Sequence, residues 1–387
     1  MELEVIVNAT KLKPALLTPP PSKSDATRAL TLAWMTGLPQ PKLHAWPTDV
    51  TRLAGGLERL GTDQPIDCGD GAAPFRILLA LAASMPGRSV FTGTQRLAER
   101  PHGPLFEALG LEPGGWPLAV QGREPRARYT VACELSSQYA SALTLAACHA
   151  VLVAGRPCEV ELVGAVASRG YLDVTLRWAQ RAGFELETTP QLIRVLRHTA
   201  VHSLPPVPAD WSSMGYLLLL ALASGGVVDA RGAGEHPDRA VLDHLEIAET
   251  DGLIEVKRAR PQIDADLSGT PDLGPTLAAL ALAGGGGVLH NVEILRHKES
   301  DRLDAITALA YAVGAKTELR GSTLELGKAS PTTSFRYGCR GDHRLTLAAI
   351  SLACLLRCSA VLDRTEGVDK SFPGFFEQAS RAGVSFE

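Results

Sequence analysis

Six segments of the chain are apolar on nearly every face when their residues are placed on a helix. Such helices must be buried, and this constrains the fold more than any other feature of the sequence. Each follows small, hydroxyl or acidic residues, which are typical of helix N-caps. The predicted buried helices cover residues 26–35, 74–84, 138–153, 214–224, 273–283 and 343–356.

Amphipathic helices and strand-like stretches lie between the buried helices. The predicted amphipathic helices cover 50–60, 171–182, 302–313 and 375–382, and strand-like stretches include 183–187, 288–295 and 383–387. A buried helix, an amphipathic helix and short strands thus form a unit of about 50 to 70 residues that recurs roughly six times. We predict an α/β fold of two similar domains, each with three repeated strand-helix units.

Two proline-rich stretches indicate where the chain passes between the domains. Residues 205–208 read Pro-Pro-Val-Pro, and residues 19–21 are all proline. Proline fixes φ and lacks an N–H donor, which suits crossings between compact bodies. We therefore predict a discontinuous domain of residues 1–19 and 209–387, an inserted domain of residues 20–208, and an active site in the cleft between them. Ordinary surface loops are the alternative interpretation of these prolines.

Composition excludes several classes of protein. The formal net charge is −4 and Lys and Arg form no basic run, so nothing favours nucleic acid as a partner. The acidic N-terminus does not resemble a signal peptide, and the longest apolar run, residues 214–223, is half a membrane span. Seven cysteines without a Cys-x-x-Cys pair fit reduced thiols. We expect a cytoplasmic monomer that uses no metal or cofactor.

Cations stand at the start of the first buried helix. A helix N-terminus offers unpaired N–H groups and partial positive charge, so several of them can form a site for phosphates or carboxylates. Lys23 lies at the helix entry, and Arg28 follows Ser24 by about one turn on the same face. Taken alone, a capped helix start with a solvated lysine explains Ser22-Lys23-Ser24 more often than a binding site does.

Further polar clusters precede other helices. Residues 297–302, which read His-Lys-Glu-Ser-Asp-Arg, lie at a predicted strand-to-helix turn, where a solvated, well-capped helix start is the alternative. A helix that is otherwise apolar begins with Asp342, His343 and Arg344. Burial of this helix would remove these charged side chains from water, so they must face partners or a ligand. Arg100 and Lys370 are cations in two further short polar stretches.

The sequence strings around these residues match one family in order along nearly the whole chain. They are Pro21-Ser22-Lys23-Ser24, Glu99-Arg100-Pro101, Ser136-Ser137-Gln138-Tyr139, Lys298-Glu299-Ser300-Asp301-Arg302, Asp342-His343-Arg344 and Lys370-Ser371-Phe372-Pro373. The chain resembles the 5-enolpyruvylshikimate-3-phosphate (EPSP) synthase family, and the Lys-Glu-Ser-Asp-Arg string is highly specific. The related UDP-N-acetylglucosamine enolpyruvyl transferase lacks these strings. The resemblance implies an inside-out barrel of two domains, each with three copies of one strand-helix unit, in agreement with the repeats.

The resemblance also implies a reaction and its substrate contacts. The family joins the 5-hydroxyl of shikimate 3-phosphate to the enolpyruvyl group of phosphoenolpyruvate and releases phosphate. The residues implied to hold phosphoenolpyruvate are Lys23, Ala72, Arg100, Gln138, Arg302, Arg344 and Lys370. Those implied to hold shikimate 3-phosphate are Ser24, Arg28, Ser136, Ser137, Gln138, Ser168, Asp272 and Lys298. Guanidinium groups suit phosphate and carboxylate because their planar fork bonds two oxygens at once.

The implied reaction requires that one proton is removed from the hydroxyl and one is delivered to the methylene carbon of the enol. When phosphate leaves, a proton is removed from that carbon again. We assign Asp272 to the hydroxyl and Glu299 to the methylene, with Lys23 polarising the bridging phosphate oxygen. His343 either relays a proton or steadies Glu299, and a helix-start histidine bonded to a neighbouring loop is the alternative.

Some positions depart from the family pattern. Ala72 stands where the family has a glycine, so we expect somewhat weaker binding of phosphoenolpyruvate and much weaker inhibition by its longer analogue glyphosate. Ile294 replaces an asparagine that contacts the shikimate hydroxyls, and Asp25 introduces a carboxylate that could weaken local anion binding. An acceptor alcohol other than shikimate 3-phosphate is therefore one alternative, and a non-catalytic ligand-binding paralogue is another.

Overall fold

The structure is a computed structural model that describes residues 4–387. This part of the chain divides into two compact units. One unit is Ser22–Val207, and the other is Pro208–Glu387 together with the N-terminal segment through Pro21. Among residues 4–387, no helix combines the length and apolarity needed to cross a bilayer.

The N-terminal segment contributes strands to the unit that contains the C-terminus. β1 (Glu4–Asn8) pairs antiparallel with residues Ser359–Asp363 and Ser385–Phe386. β2 (Leu16–Leu17) pairs parallel with Val227–Asp229. Both ends of the described chain therefore lie in the same unit.

The unit Ser22–Val207 surrounds buried helices with short sheets. Its helices are α1 (Lys23–Thr36), α2 (Thr48–Arg59), α3 (Ala72–Ala83), α4 (Gln95–Glu99), α5 (Gly103–Leu109), α6 (Gln138–Ala154) and α7 (Arg169–Arg181). Its strands are β3 (Thr62–Asp67), β4 (Arg88–Thr92), β5 (Leu118–Gln121), β6 (Arg128–Ala132), β7 (Cys158–Val163), β8 (Phe184–Thr188) and β9 (Leu192–His198). α6 packs against α1, α3 and α7, so the apolar helices share one core.

The sheets of this unit have the orders β3-β4-β5 and β6-β7-β9-β8, with parallel pairs β3/β4 and β6/β7 and antiparallel pairs elsewhere. Within residues 22–67, the two helices of the first repeat, α1 and α2, follow each other with no strand between them, and the strand β3 comes directly after α2. The intervening segment contains Pro39, Pro41 and Pro47, which cannot donate to a strand ladder.

The other unit has the same construction. Its helices are α8 (Trp211–Ser224), α9 (Gly274–Ala283), α10 (Arg302–Ala312), α11 (His343–Leu356) and α12 (Phe375–Arg381). Its strands are β10 (Val227–Asp229), β11 (Leu245–Thr250), β12 (Leu253–Ala259), β13 (Ile263–Asp266), β14 (Gly287–His290), β15 (Thr317–Arg320), β16 (Thr323–Leu326), β17 (Ser334–Gly338), β18 (Ser359–Asp363) and β19 (Ser385–Phe386). α8, α9 and α11 contact one another inside mixed sheets of order β17-β18-β1-β19, β11-β12-β10-β2 and β13-β14-β16-β15.

The structure contains all six predicted buried helices, with ends shifted by a few residues. In α8, the side chains of Leu217 to Leu220 are 0% exposed although they point in all directions around the axis. Full burial stabilises each such side chain by about 1.5 to 3 kcal/mol, which explains why these segments form the cores. The α/β arrangement with helices inside and sheets outside is therefore confirmed.

The local predictions at helix starts were partly wrong. Side chains of Ser22, Asp210 and Asp342 cap α1, α8 and α11, whereas the caps at Gly71 and Ser137 make no such side-chain bond. The predicted strand 288–295 ends at His290, because Asn291 has a φ of 56° and a 3-10 turn follows over Val292–His297. That turn leads directly into the Lys298–Arg302 segment.

Candidate active site

Charged side chains from separate elements meet in the unit Pro208–Glu387. We call this group the acid-cation cluster; it consists of Asp272, Lys298, Glu299, Arg302, Asp342, Arg344 and Lys370. Asp272 lies in the 3-10 turn before α9, and Lys370 ends the 3-10 turn Val368–Lys370. The remaining members lie at the starts of α10 and α11. Most members therefore sit at or just before the start of a helix, as the sequence indicated.

Arg302 is the centre of the acid-cation cluster and is 0% exposed. Its Nε donates to Asp342 Oδ2 at 2.8 Å, and its Nη2 donates to Glu299 Oε2 at 2.7 Å. Nη1 donates to Asp272 Oδ1 at 3.3 Å. Burial alone would lower the pKa of this guanidinium, but the surrounding carboxylates raise it above its usual value. Arg302 is thus a permanent cation.

Asp272 accepts hydrogen bonds from several cations. Arg344 Nη2 donates to its Oδ2 at 2.8 Å, and Lys298 Nζ donates to its Oδ1 at 3.3 Å. Burial by itself would raise the pKa of Asp272, but Arg344, followed by Lys298 and Arg302, holds it well below its usual range. Asp272 is therefore ionised, and in this arrangement it is a weak base.

Glu299 is bonded to Arg302, and His343 directly follows Asp342 in the chain. Lys370 Nζ donates to Glu299 Oε1 at 3.4 Å, so this carboxylate is held by both a lysine and an arginine. The His343 ring is 1% exposed, and its Nδ1 lies 3.7 Å from Asp342 Oδ1. The residues predicted in this unit to touch phosphoenolpyruvate or to move protons are thus brought together.

Lys23 is held by a carboxylate in the unit Ser22–Val207. Its Nζ donates to Asp49 Oδ2 at 3.0 Å, and Asp49 lies in the first turn of α2 with its side chain 3% exposed. A Cβ added at Gly71 would lie 2.7 Å from Asp49 Oδ1, so the glycine makes room for this carboxylate. Ala72 follows as the first residue of α3 and is 3% exposed. Asp49 is thus bonded to Lys23 and lies close to Gly71, the residue before Ala72.

Arg28 and Ser24 form a second group at the start of α1. Arg28 Nη1 donates to the Ser24 carbonyl at 2.8 Å, and its Nε donates to Thr175 Oγ1 at 2.8 Å. Burial lowers the pKa of Arg28 to about 10, against the opposing effect of the Asp25 carboxylate. Ser168 caps the N-terminus of α7 in the left-handed region, with a φ of 55°. α1 and α7 pack together, and the bond from Arg28 to Thr175 joins them.

Arg76 organises the third group, which contains the predicted serines and glutamine. Its Nη1 donates to Gln138 Oε1 at 2.7 Å and to Ser136 Oγ at 3.4 Å, and its Nη2 donates to the Pro101 carbonyl at 2.7 Å. The guanidinium also lies 4.7 Å from the centre of the Tyr139 ring. Ser137 begins α6 and is buried, and Arg100 directly precedes Pro101.

Several polar residues of these groups were not among the predicted site residues. Asp49, Arg76 and Asp342 are each less than 3% exposed and bonded to predicted ones. Arg76 could have been found, because a guanidinium inside an otherwise apolar helix requires partners. Ile294, by contrast, packs against the hydrophobic core from the 3-10 turn before Lys298.

Known proteins provide an independent comparison. The family model described as EPSP synthase (3-phosphoshikimate 1-carboxyvinyltransferase) matches residues 47–379. A protein named 3-phosphoshikimate 1-carboxyvinyltransferase from Methanopyrus kandleri is 33% identical, with 95% of each chain covered. A protein of the same name from Halobacterium salinarum strain R1 is 32% identical, with 94% of this chain and 95% of the relative covered.

The fold is also that of solved structures. The 2.37 Å structure of EPSP synthase from Acinetobacter baumannii superposes with a TM-score of 0.74 over 100% of both chains, at 20% sequence identity. This similarity shows a shared fold, and the relatives above show the family. The chain belongs to the EPSP synthase family of carboxyvinyl transferases.

Proposed function

We propose that this protein transfers the enolpyruvyl group of phosphoenolpyruvate to the 5-hydroxyl of shikimate 3-phosphate and releases phosphate. The observation that carries the proposal is the acid-cation cluster, where buried cations surround Asp272 and Glu299. Binding an anion requires only the cations. Carboxyl groups within the same cluster supply the acid-base function that addition to an enol needs.

The reaction begins with proton transfer from the substrate hydroxyl. In the proposed first step, Asp272 takes the hydroxyl proton as the 5-oxygen forms a bond to C2 of phosphoenolpyruvate. Glu299, in its protonated form, delivers a proton to C3, which becomes a methyl group. The product is a tetrahedral intermediate that carries both the phosphate and the new C–O bond.

Elimination reverses the change at C3. The bond from C2 to the phosphate oxygen breaks, and phosphate leaves with the bonding electron pair and takes up one proton, which balances the hydroxyl proton that Asp272 accepted and now releases. Glu299 removes a proton from the methyl group, and the C2–C3 double bond forms again. Lys23, held by Asp49, polarises the bridging oxygen and stabilises the charge that develops there. Lys370 and Arg302 hold Glu299 next to the position proposed for C3.

The electrostatics of Asp272 favour proton transfer only when substrate is present. Its cationic partners hold its pKa well below the usual range, because they compensate for the cost of burial. Phosphoenolpyruvate is anionic at both its carboxylate and its phosphate. When those groups bind Arg302 and Arg344, they offset the cations and raise the pKa of Asp272, which makes the carboxylate a stronger base.

Shikimate 3-phosphate is assigned to the hydroxyl and cationic groups of the other unit, with Asp272 and Lys298. The proposed contacts are Ser24, Arg28, Ser136, Ser137, Gln138 and Ser168. Arg76 supports this assignment because it holds Gln138 and Ser136 beside each other at the start of α6. Phosphoenolpyruvate is assigned to Lys23, Ala72, Arg100, Gln138, Arg302, Arg344 and Lys370.

Phosphate release tests the proposal. Purified protein is incubated with phosphoenolpyruvate and either shikimate 3-phosphate or UDP-N-acetylglucosamine, and released phosphate is measured. We expect turnover with shikimate 3-phosphate alone, loss of at least about a thousandfold in Lys23→Ala, and no change in Arg258→Ala. Arg258 is a matched control because it pairs with Glu246 on the exposed face of β11 and β12.

The other outcomes identify the alternatives. Turnover with UDP-N-acetylglucosamine would assign a different acceptor. Tight binding of shikimate 3-phosphate without turnover would identify a ligand-binding paralogue. The cytoplasmic location and monomeric state stay predictions from the sequence, and light scattering of the purified protein tests the second.

A further inference from the structure

Asp25 lies in the first turn of α1, between residues that the proposed function assigns to substrates. Its side chain is nearly inaccessible, since the residue is 3% exposed. Ser22 Oγ donates to its Oδ2 at 2.6 Å, and Trp178 Nε1 donates to its Oδ1 at 2.7 Å. Each carboxylate oxygen of Asp25 therefore accepts a hydrogen bond from protein.

The bond to Ser22 closes the first turn on itself. Ser22 Oγ accepts the backbone N–H of Asp25 at 3.2 Å while its hydroxyl donates to the Asp25 carboxylate. This reciprocal pair resembles the capping box, except that the carboxylate of the third helical residue accepts the N-cap hydroxyl in place of the N-cap backbone N–H. Lys23 and Ser24 lie between the two bonded residues; the pair sets the backbone of Ser24, whereas the side chain of Lys23 is held separately by its bond to Asp49.

The bond to Trp178 joins this turn to another helix. Trp178 is 0% exposed and lies on α7, 153 residues further along the chain. Arg28 makes a second connection, because its Nε donates to Thr175 Oγ1 at 2.8 Å and its Nη2 donates to the Tyr171 carbonyl at 3.3 Å. The start of α1 is thus bonded to successive turns of α7.

Charge adds to this geometry. A buried carboxylate is costly unless it is hydrogen-bonded and has a nearby countercharge. Arg28 is a buried cation one turn after Asp25, and the Asp25 carboxylate raises the pKa of Arg28 against the larger lowering by burial. Tyr171 acts in the same direction as Asp25, and Arg177 acts in the opposite direction. Asp25 therefore favours the charged form of Arg28.

We propose that Asp25 is a positioning residue that fastens the first turn of α1 to Trp178 of α7 and so holds Ser24 and Arg28 ready for the phosphate and ring of shikimate 3-phosphate. This inference deepens the proposed function and rests on it. Asp25 acts through Ser22, Trp178 and Arg28, and its own oxygens are occupied by protein donors. The carboxylate of Asp25 suggested weaker anion binding when only the sequence was considered. In this geometry Asp25 supports anion binding, because it holds Ser24 and Arg28 in place.

Two substitutions with little change in shape test the role. Asp25→Asn removes the charge, and Trp178→Phe removes the indole N–H while keeping an aromatic ring in the core. We expect each to raise the KM for shikimate 3-phosphate by about three- to tenfold, consistent with the loss of one charge-assisted hydrogen bond. The kcat and the KM for phosphoenolpyruvate are expected to change by less than about twofold, since Lys23 keeps its bond to Asp49.

The double variant and two controls separate positioning from general stability. In the double variant we expect a KM increase smaller than the product of the single increases, because both substitutions weaken the same bond between Asp25 and Trp178. Val195→Ala, a buried truncation in β9, should lower the melting temperature without changing KM. Glu185→Gln, which removes an exposed carboxylate paired with Arg197, should change neither.

The results that overturn the proposal are distinct from those that overturn the proposed function. An unmodified protein without shikimate 3-phosphate turnover contradicts the proposed function. With an active unmodified protein, the positioning role is wrong if both single variants keep the KM within about twofold, or if kcat falls instead. The positioning role is also wrong if Val195→Ala raises the KM for shikimate 3-phosphate as much as Asp25→Asn and Trp178→Phe do. If Asp25→Asn does not fold, the KM and kcat of Trp178→Phe by themselves decide whether the positioning role is right.

Discussion

The Nε atom of Arg302 donates to Asp342 Oδ2 at 2.8 Å, and the two side chains are 1% and 0% exposed. Asp342 also caps α11 by accepting the backbone N–H of Arg344 at 3.0 Å. One carboxylate therefore orients the central cation of the acid-cation cluster and the first turn of the helix that supplies Arg344. Stability and, in the proposed function, substrate binding therefore depend on the same residue.

Asp342→Asn is expected to weaken both properties. Removing one partner of a buried ion pair typically costs about 3 to 5 kcal/mol, and asparagine retains one acceptor, so we expect about 3 kcal/mol less free energy of unfolding. The KM for phosphoenolpyruvate should rise because Arg302 loses its orientation. Urea unfolding and steady-state kinetics measure the two effects.

Asp304→Asn serves as the control for Asp342→Asn. Asp304 pairs with Arg340, but its side chain is 62% exposed, so its loss should change the free energy of unfolding by no more than about 1 kcal/mol. Equal stability of the two variants would contradict the role assigned to Asp342.

Ala72→Gly should increase sensitivity to glyphosate. Ala72 begins α3 beside Gly71, and its methyl group is buried. Overpacking typically costs about 1 to 3 kcal/mol, and the longer analogue is expected to bear more of it than phosphoenolpyruvate. We expect the inhibition constant of glyphosate to fall by about tenfold or more, with a smaller fall in the KM for phosphoenolpyruvate. Equal inhibition of the natural protein and the variant would show that Ala72 does not limit the analogue.

His102 should make the protein sensitive to acid. Burial, with a contribution from Arg76, lowers the pKa of His102 to about 3, so the folded state keeps the ring neutral. Its Nε2 lies 2.8 Å from the Leu97 carbonyl, and Arg76 Nε donates to Nδ1, which selects the tautomer with the proton on Nε2.

The sign of this effect follows from proton linkage. Below the ordinary histidine pKa of about 6.5, the unfolded chain binds a proton that the folded protein does not, so stability falls as the pH falls. Between about pH 7 and about pH 5, His102 should remove about 2 kcal/mol from the free energy of unfolding. In His102→Asn, where the Arg76 acceptor is retained, that loss should shrink by the same amount in urea titrations. An identical pH dependence would contradict a neutral buried imidazole.

The cysteines should be unreactive while the protein is folded. All seven lie within the described residues and are buried. Burial raises the pKa of Cys133, Cys158 and Cys358 to about 11 and that of Cys339 and Cys354 to about 12. Because the thiolate is the reactive species, we expect no alkylation by iodoacetamide at neutral pH and complete alkylation in urea. Mass spectrometry reads the result, and rapid modification of any cysteine in the native protein would show a more open structure.

The sequence alone predicted the elements that need only local information. Residues 214–224 are apolar on every face, so a buried helix was the available solution, and the structure has α8 there. The segment from Lys298 to Arg302 concentrates charge before a helix, and the structure places its Lys298, Glu299 and Arg302 in the acid-cation cluster. The prediction failed where local signals were ambiguous: residues 288–295 resemble a strand, but Asn291 in the left-handed region ends β14 early.

The sequence by itself determined which segments are buried, where their first turns carry charge, and which family the motifs resemble. The tertiary structure decided which carboxylate pairs with which cation. Asp272 and Arg344 are 72 residues apart, and Asp25 and Trp178 are 153 apart. A charged side chain finds a partner only within a few ångströms, and that distance depends on how helices pack. No periodicity or spacing contains that information, so Asp342, Asp49 and Asp25 acquired their roles only when the helices were placed together.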